Sequence, residues 1–341
     1  MILINASRTR VAQRIVCFGE ILLRLAPPGR ELLLQSANLQ ATFAGAEANV
    51  GVALATFGHA VDMLTVVPEG QLGNAVISEL RRHGVNIQRI KRGPGRLGLF
   101  FYTPGAVRRP SEIFYDRAES AFALDPALCA DVPALDGAAW FHVSGVTPAL
   151  GRNCADAAIA MAQAARTRGA RVSFDGNYRS RLWENWRDQG PSILRQLFET
   201  ADIVFGDQRD IGLVLGKSFT TIGDAVDAAF TAFPQLQRVA YTIRSQHTVE
   251  RLNYSAKLHS RSTTHDSAGV ELSGIVDRVG TGDAFAAGVI HGLLTGMNDG
   301  EALRFAHAAA CLKHSIPGDF LTLGVDAVRD ALRDGSLDVR R

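Results

Sequence analysis

Short apolar runs alternate with longer segments of small or amphipathic residues along most of the chain. Such short runs predict buried strands, and the longer segments predict helices. The predicted strands cover residues 15–18, 61–67, 85–87, 97–102, 113–115, 172–174, 203–205 and 239–243. The predicted helices cover residues 50–57, 72–83, 154–168, 224–233, 284–294 and 301–313. Repeated strand–helix units predict an α/β fold, with a mostly parallel central sheet and helices on both faces.

Two segments of short strands do not fit this alternation. The first, about residues 22–43, is broken by Pro27-Pro28-Gly29, and the second, about residues 96–118, turns near Pro104-Gly105. Strands around such turns predict hairpins, so we expect a small β lid outside the main sheet. No linker divides the rest, which predicts one domain over residues 15–335 after a loose extension at residues 1–14.

Composition excludes several classes of protein. Of the 341 residues, 47% are apolar and 21% are charged, which is typical of an ordinary globular protein. The net charge of +2 comes without a basic stripe, so we expect no nucleic-acid partner. The sequence contains no run of about 18 apolar residues, so no membrane span is predicted. The four cysteines form no CxxC pair, which predicts reduced thiols in a cytoplasmic protein.

The most informative stretch covers residues 275–288, which predict a strand end, a tight turn and a helix. Gly280 and Gly282 allow a positive φ and let the backbone approach a ligand. The first free N–H groups of the helix then form a site for an anion, above all a phosphate. Asp283 stands where an anion is expected to bind. It is interpreted either as a helix cap or as a catalytic base, and local chemistry alone favours the cap.

Polar residues also follow two other predicted strands, at residues 175–179 and 207–210. Ligands of parallel α/β sheets bind outside the carboxyl ends of the strands. These two clusters are therefore expected to converge with residues 280–283. That convergence favours a functional role for Asp283 over capping alone.

Other motifs in the chain do not support a different site. Gly216-Lys217-Ser218 resembles the end of a Walker loop, but Ile211 occupies the place of its first glycine. No GxGxxG follows the first strand. His307, Cys311 and His314 share one helix face and could mimic metal ligands, but a packed or pocket-lining face is the favoured interpretation.

Two signatures resemble those of the ribokinase-like (PfkB) carbohydrate kinases. Residues 277–288 resemble the C-terminal signature of that family, with Thr281 where the family usually has alanine. Residues 44–51 resemble the N-terminal signature, with Ala44 in place of its first glycine. The similarity runs from about residue 15 to residue 333. It implies a ribokinase-like three-layer α/β/α fold with a mostly parallel central sheet and a small β lid, and it implies the use of ATP and Mg²⁺.

Within that family, the chain is most similar to the 2-keto-3-deoxygluconate kinases. The similar stretches are residues 98–100, 114–121, 175–183 and 313–320. Arg117 and Arg179 match the family's arginines near the acid group of the sugar, and the planar fork of arginine suits a carboxylate. The implied substrate-binding residues are Gly45, Glu47, Asn49, Phe100, Tyr115, Arg117, Arg179, Asp283 and Asp319.

The resemblance also implies a mechanism. Asp283 would be the general base, and the backbone of Gly280, Thr281 and Gly282 would form an anion hole. The implied nucleotide-binding residues are Asn177, Asp207, Thr242, Arg244, His247, Gly280, Gly282 and His307. Asp210 would be linked indirectly to Mg²⁺. Asp210 stands where the family has Glu, and Asp207 stands where the family has Asn.

The sequence-based hypothesis is therefore an ATP-dependent kinase for a small-molecule sugar acid, which phosphorylates 2-keto-3-deoxy-D-gluconate to 2-keto-3-deoxy-6-phosphogluconate. We expect a homo-oligomer, a dimer or higher, assembled through the lid. A family kinase for 2-keto-3-deoxygalactonate, fructose or ribose is an open alternative. A non-catalytic sugar-binding regulator on the same fold is another.

Overall fold

The computed structural model describes residues 13–333, and its largest feature is a nine-stranded sheet. Its strands are β1 (Arg14–Phe18), β4 (Ala60–Leu64), β9 (Trp140–Ser144), β10 (Arg171–Asp175), β11 (Ile203–Phe205), β12 (Arg238–Thr248), β13 (Arg251–Ser260), β14 (Thr264–Asp266) and β15 (Val270–Ser273). Their order is β14-β13-β12-β11-β10-β9-β1-β4, and β15 also pairs with β13. Pairing is parallel from β4 to β12 and antiparallel from β12 onward.

Helices cover both faces of this sheet. They are α1 (Ala46–Thr56), α2 (Gln71–Arg82), α3 (Ala121–Leu124), α4 (Arg152–Thr167), α5 (Gly190–Phe198), α6 (Gln208–Leu215), α7 (Ile222–Ala232), α8 (Thr281–Thr295), α9 (Asp299–Lys313) and α10 (Val325–Leu332). Short 3₁₀ helices cover Pro126–Cys129, Val132–Leu135, Pro148–Leu150 and Ser180–Gln189.

The two hydrophobic cores follow from the two-residue period of the strands. In β1, Ile15 and Cys17 pack into the core beneath α1, α8 and α9, whereas Val16 and Phe18 pack into the core beneath α4 and α5. Both faces of β1 are buried, as expected for a parallel sheet covered by helices. The architecture is the predicted three-layer α/β/α arrangement.

The two segments that break the alternation form a separate four-stranded sheet, here called the lid. Its strands are β2 (Leu22–Ala26), β3 (Gln40–Ala44), β7 (Gly98–Thr103) and β8 (Glu112–Asp116), in the order β3-β2-β7-β8. A third sheet pairs β5 (Val66–Pro68) with β6 (Lys91–Gly93).

The strand predictions need three corrections. The single strand predicted over residues 61–67 is two strands, β4 and β5. The strand predicted over residues 85–87 is reduced to one bridge between Asp62 and Asn86, because the chain turns at once toward β6. Strand β12 extends to Thr248, beyond the predicted residue 243, because β13 pairs with it along that extension.

The predicted loose extension ends earlier than residue 14. Arg14 is the first residue of β1, and its guanidinium pairs with Asp62 at 2.7 Å. Residues 1–12 of that extension, and residues 334–335 of the predicted domain, lie outside the described residues. Within residues 13–333, no helix combines the length and apolarity needed to span a bilayer.

Candidate active site

The segment before α8 is held in place by backbone contacts and is not a strand, contrary to the prediction. Strand β15 ends at Ser273, and the N–H groups of Val276 and Asp277 donate to the carbonyl of His314 at 2.9 and 3.2 Å. Gly280 then has a φ of 81°. A Cβ there would lie 2.0 Å from the backbone oxygen of Asp319, so this turn requires glycine.

Helix α8 begins at Thr281 without a side-chain cap among the described residues. Its first N–H groups are therefore available to an anion. A Cβ on Gly282 would meet nothing within 4 Å, so internal packing does not require glycine there. Without a side chain, Gly282 leaves the backbone open to the close approach of a ligand.

Asp283 is not the helix cap that local chemistry favours. Its Oδ2 accepts a hydrogen bond of 2.6 Å from Nδ2 of Asn49 in α1. The amide of Asn49 is oriented by Gly45, whose N–H donates to Oδ1 at 3.2 Å. Burial raises the pKa of Asp283 to about 7, although the Asn49 hydrogen bond opposes that rise. A carboxylate with a pKa near 7 is suited to accept a proton at neutral pH.

A cavity between the lid, α1 and α8 contains all the predicted substrate-binding residues. They are Gly45, Glu47, Asn49, Phe100, Tyr115, Arg117, Arg179, Asp283 and Asp319. Glu47 also has a structural role in its wall. Its Oε1 accepts from the N–H and hydroxyl of Ser144, both at 2.8 Å, and from the hydroxyl of Thr147 at 2.7 Å. Glu47 therefore anchors α1 to the end of β9.

The two predicted arginines are in different electrostatic states. Arg117 is buried against Glu20, with its nitrogens 2.6 and 2.7 Å from Oε2, so its charge is already neutralised. Arg179 has no carboxylate within 4 Å among the described residues. It donates to Oδ1 of Asn177 at 3.1 Å and to the hydroxyl of Tyr115. Of the two arginines, Arg179 is thus the one whose charge is not paired with a carboxylate of the described residues.

A buried ion-pair network links the lid to the loop before α8, and the sequence interpretation missed it. Arg24 of β2 contacts Asp277 at 2.6 Å and Asp319 at 2.5 Å. Asp277 in turn accepts from the N–H groups of Val279 and Gly318, at 3.0 and 3.1 Å. An arginine inside the alternating pattern of β2 was the available signal.

Two further cavities, of about 510 and 360 Å³, meet on the other side of Asp283. The predicted nucleotide-binding residues that line one or both are Asn177, Asp207, Thr242, Arg244, Gly280 and Gly282. Asp175 also lines both, a residue that the sequence interpretation placed at a strand end but assigned no role. Asp283, Asn177 and Arg179 also line the lid cavity, so Asp283 lies at the boundary between the two sides.

His247 and His307 do not lie on these cavity walls. His307 is buried, stacks on Tyr254 of β13 with ring centroids 5.5 Å apart, and bonds to the carbonyl of Tyr254. His247 is exposed near the end of β12. The face shared by His307, Cys311 and His314 therefore packs against β13, as the favoured interpretation of that face predicts.

The substitution of Asp207 for Asn has a local explanation. Asp207 is the N-cap of α6 and accepts from the N–H groups of Arg209 and Asp210, while Asp210 accepts from the N–H of Asp207 at 3.0 Å. Aspartate and asparagine cap helices about equally well. Burial raises the pKa of Asp210 to about 6.

The acidic residues beside α6 fit a magnesium ion. The pKa of Asp175 is raised well above its usual value by burial and by the charges of Asp283 and Asp210. A divalent cation near these carboxylates would offset that repulsion. Residues 13–333 contain no cluster of three or more metal-ligating side chains. Mg²⁺ bound to phosphates needs none, because it typically uses one or two carboxylates and keeps several waters.

The match with known proteins fits this geometry. The family model described as "pfkB family carbohydrate kinase" matches residues 12–319 of this chain. The chain belongs to this family. It is 32% identical, over 329 residues, to a 2-dehydro-3-deoxygalactonokinase of Haloferax volcanii, covering 96% of this chain and 99% of that protein. It is 29% identical to a 2-dehydro-3-deoxygluconokinase of Bacillus subtilis, covering 81% and 82%.

A solved structure agrees over nearly the whole chain. The crystal structure of 2-dehydro-3-deoxygluconokinase from Thermotoga maritima superposes with a TM-score of 0.89 at 35% identity, covering 94% of this chain and 99% of that one. The protein is therefore a PfkB-family sugar kinase with the ribokinase-like fold. The resemblance to 2-keto-3-deoxygluconate kinases, a synonym of the 2-dehydro name, is confirmed.

Proposed function

We propose that this kinase transfers the γ-phosphoryl group of ATP to the terminal hydroxyl of 2-keto-3-deoxygluconate, giving 2-keto-3-deoxy-6-phosphogluconate. The observation that carries the proposal is that Arg179 and Asp283 line the same cavity. A guanidinium without a carboxylate partner suits the acid group of such a sugar. A neutral sugar would leave that charge unmatched.

The residues account for each part of the transfer. Asp283 accepts the proton of the sugar hydroxyl while the hydroxyl oxygen forms a bond to the γ-phosphorus of ATP. The bond between that phosphorus and the β–γ bridging oxygen breaks, and ADP leaves with its electrons. The hydrogen bond from Asn49 occupies Oδ2, so Oδ1 is the atom available for the proton. General-base assistance of this kind contributes typically about 10²- to 10⁴-fold in rate.

The start of α8 stabilises the charge that develops on the phosphate. Its uncapped N–H groups at Thr281 and Gly282 form the anion hole, and the helix holds them in position. Asp210 and Asp175 would hold Mg²⁺ through water or directly, and the bound ion would neutralise charge on the phosphate oxygens. The lid and α1 then enclose the sugar on the other side of Asp283.

The C4 epimer, 2-keto-3-deoxygalactonate, is the second candidate substrate. The Haloferax volcanii relative carries the name of that activity at 32% identity over nearly the full length. Both epimers carry the same acid group, so Arg179 supports either one.

A substrate screen tests the proposal. Purified protein with ATP and Mg²⁺ is assayed for ADP release with both keto-deoxy acids, fructose and ribose at equal concentrations. We expect the highest kcat/KM with 2-keto-3-deoxygluconate and low turnover of the neutral sugars. Equal or better turnover of fructose or ribose would refute an acid-sugar kinase, and preference for the epimer would select the second candidate.

A further inference from the structure

Three arginines line the larger cavity beside α8 without a carboxylate partner. Arg179, Arg244 and Arg278 each lie on its wall, and none has a carboxylate oxygen within 4 Å in the described part of the chain. Arg179 also lines the cavity between the lid, α1 and α8, here called the sugar cavity because the sugar acid is proposed to bind there, whereas Arg244 and Arg278 do not. These two arginines are therefore available to a different anion.

Thr281 fixes the position of Arg244. The NH2 group of Arg244 donates to Oγ1 of Thr281 at 3.1 Å, and the same hydroxyl donates to the carbonyl of Arg278 at 3.0 Å. Thr281 is buried, at 1% exposure, so its hydroxyl is not shared with solvent. This one side chain thus attaches a guanidinium from β12 to the first residue of α8. Alanine, the usual family residue, has no hydroxyl to do so.

Arg278 adds a second positive charge next to the first. Burial lowers the pKa of Arg278, and the charge of Arg244 lowers it further, as expected for two guanidinium groups that face the same cavity. An uncompensated pair of like charges is unfavourable unless an anion binds between them. The nearest backbone feature is the uncapped start of α8, which itself favours a phosphate.

We propose that Arg244 and Arg278, together with the first N–H groups of α8, bind the terminal phosphates of the nucleotide, and that the hydroxyl of Thr281 holds Arg244 in position. The inference rests on the proposed kinase reaction and names residues that supply its phosphate contacts. Guanidinium groups bind phosphate oxygens through parallel charge-assisted hydrogen bonds. Arg244 and Arg278 touch the nucleotide, and Thr281 acts through Arg244 as a positioning residue.

Two measurements on full-length protein test this proposal. The first is steady-state kinetics with ATP varied at saturating sugar acid, and then the reverse. The second is calorimetric titration with a non-hydrolysable ATP analogue and Mg²⁺. The variants are Arg244→Gln, Arg278→Gln, Thr281→Val and Thr281→Ser. The matched control is Arg251→Gln, which removes the same charge from an exposed residue of β13 that pairs with Glu271.

We expect Arg244→Gln and Arg278→Gln each to lower kcat/KM for ATP by about 10- to 100-fold, the effect of a charge-assisted hydrogen bond. Analogue affinity should fall with them, while KM for the sugar acid stays unchanged. Thr281→Val should cause most of the loss in kcat/KM for ATP that Arg244→Gln causes. The double variant Thr281→Val/Arg244→Gln should be little worse than Arg244→Gln alone. Thr281→Ser, which keeps the hydroxyl, and the Arg251→Gln control should resemble the wild type.

Several results would overturn the proposal. Wild-type analogue affinity in Arg244→Gln and Arg278→Gln would remove the phosphate site. A rise in KM for the sugar acid alone would reassign both arginines to the carboxylate. If Thr281→Val kept wild-type kcat/KM for ATP and analogue affinity while Arg244→Gln lost both, the positioning role of Thr281 would be refuted. If the wild type phosphorylates no sugar acid, the proposed function fails, and the analogue titration still decides the phosphate site.

Discussion

Nδ2 of Asn49 lies 2.6 Å from Oδ2 of Asp283, across 234 positions of sequence. The bond joins α1, which borders the sugar cavity, to α8, which carries the proposed base. Because Gly45 donates to the other end of the amide, Asn49 can only present its N–H₂ group to Asp283. The contact stabilises the ionised carboxylate and opposes the effect of burial on its pKa.

Removing that donor should shift the pH dependence of the reaction. In Asn49→Leu, burial acts on Asp283 without the opposing hydrogen bond, so its pKa rises above the wild-type value of about 7. The base is active when ionised, so kcat/KM should increase with pH in both proteins. The midpoint of the variant should lie at higher pH in a profile from pH 5 to 9. An unchanged midpoint would contradict control of the base by Asn49.

Replacing the base should separate activity from stability. Asp283→Asn should lower kcat by about 10²- to 10⁴-fold. The pKa of Asp283 is raised in the folded state, so between about pH 4 and 7 the folded protein binds more protons than the unfolded chain. The free energy of unfolding therefore decreases as pH rises from about 4 to 7, because Asp283 ionises at a cost in the folded state. Above pH 7 this destabilisation is complete.

Thermal unfolding at pH 5 and pH 8 checks this sign. The Asn variant should gain stability relative to the wild type, and the gain should be larger at pH 8. A variant that unfolds more easily at pH 8 would contradict the raised pKa. Retention of wild-type turnover would exclude Asp283 as the base.

Local patterns predicted much of the fold and the position of the site, but not how charged groups pair. The βα alternation predicted the sheet, and the glycines at 280 and 282 predicted the tight turn before α8, because both depend on neighbouring residues. The partner of Asp283 was missed because Asn49 lies on another helix. Likewise, Glu20 is 97 positions from Arg117 and neutralises it through tertiary packing alone.

The two arginines of the sugar cavity should respond differently to substitution. Arg179→Gln should raise KM for the sugar acid by the equivalent of about 1.5–3 kcal/mol, the contribution of a charge-assisted hydrogen bond, with little effect on Tm. Arg117→Gln should instead lower the free energy of unfolding by about 3–5 kcal/mol, because it leaves Glu20 buried without its counter-ion. Kinetics and urea unfolding of both variants measure the contrast. Equal effects on KM and stability would show that both arginines bind the substrate's acid group in the same way.

The aspartate that replaces the usual asparagine before α6 should be nearly neutral in function. Asp207→Asn keeps the N-cap acceptor, so turnover and Tm should remain close to the wild type. Asp207→Ala removes the acceptor and should lower the free energy of unfolding by about 1 kcal/mol. Denaturant unfolding and kinetics of the two variants check this. A strong loss of activity in Asp207→Asn would show that the carboxylate itself contacts the nucleotide or its metal.

The ion pairs of Arg24 should couple the lid to the anion hole. Arg24→Gln removes the ion-pair partner of the buried Asp277 and Asp319, which should lower the free energy of unfolding by about 3–5 kcal/mol. Since Asp277 also holds the N–H groups of Val279 and Gly318, the loop before α8 should loosen, and kcat/KM should fall for ATP and for the sugar acid together.

The matched control is Arg96→Gln, at the start of the second lid segment. Arg96 pairs with Asp116 and donates to the carbonyls of Asp116 and Ala118, but both side chains are partly exposed, so its loss should change stability much less than the loss of Arg24. Arg24→Lys keeps the charge but lacks the fork that reaches two carboxylates, and it should give intermediate values. If Arg24→Gln changed only KM for the sugar acid, the network would serve the lid alone, and its link to the anion hole would be wrong.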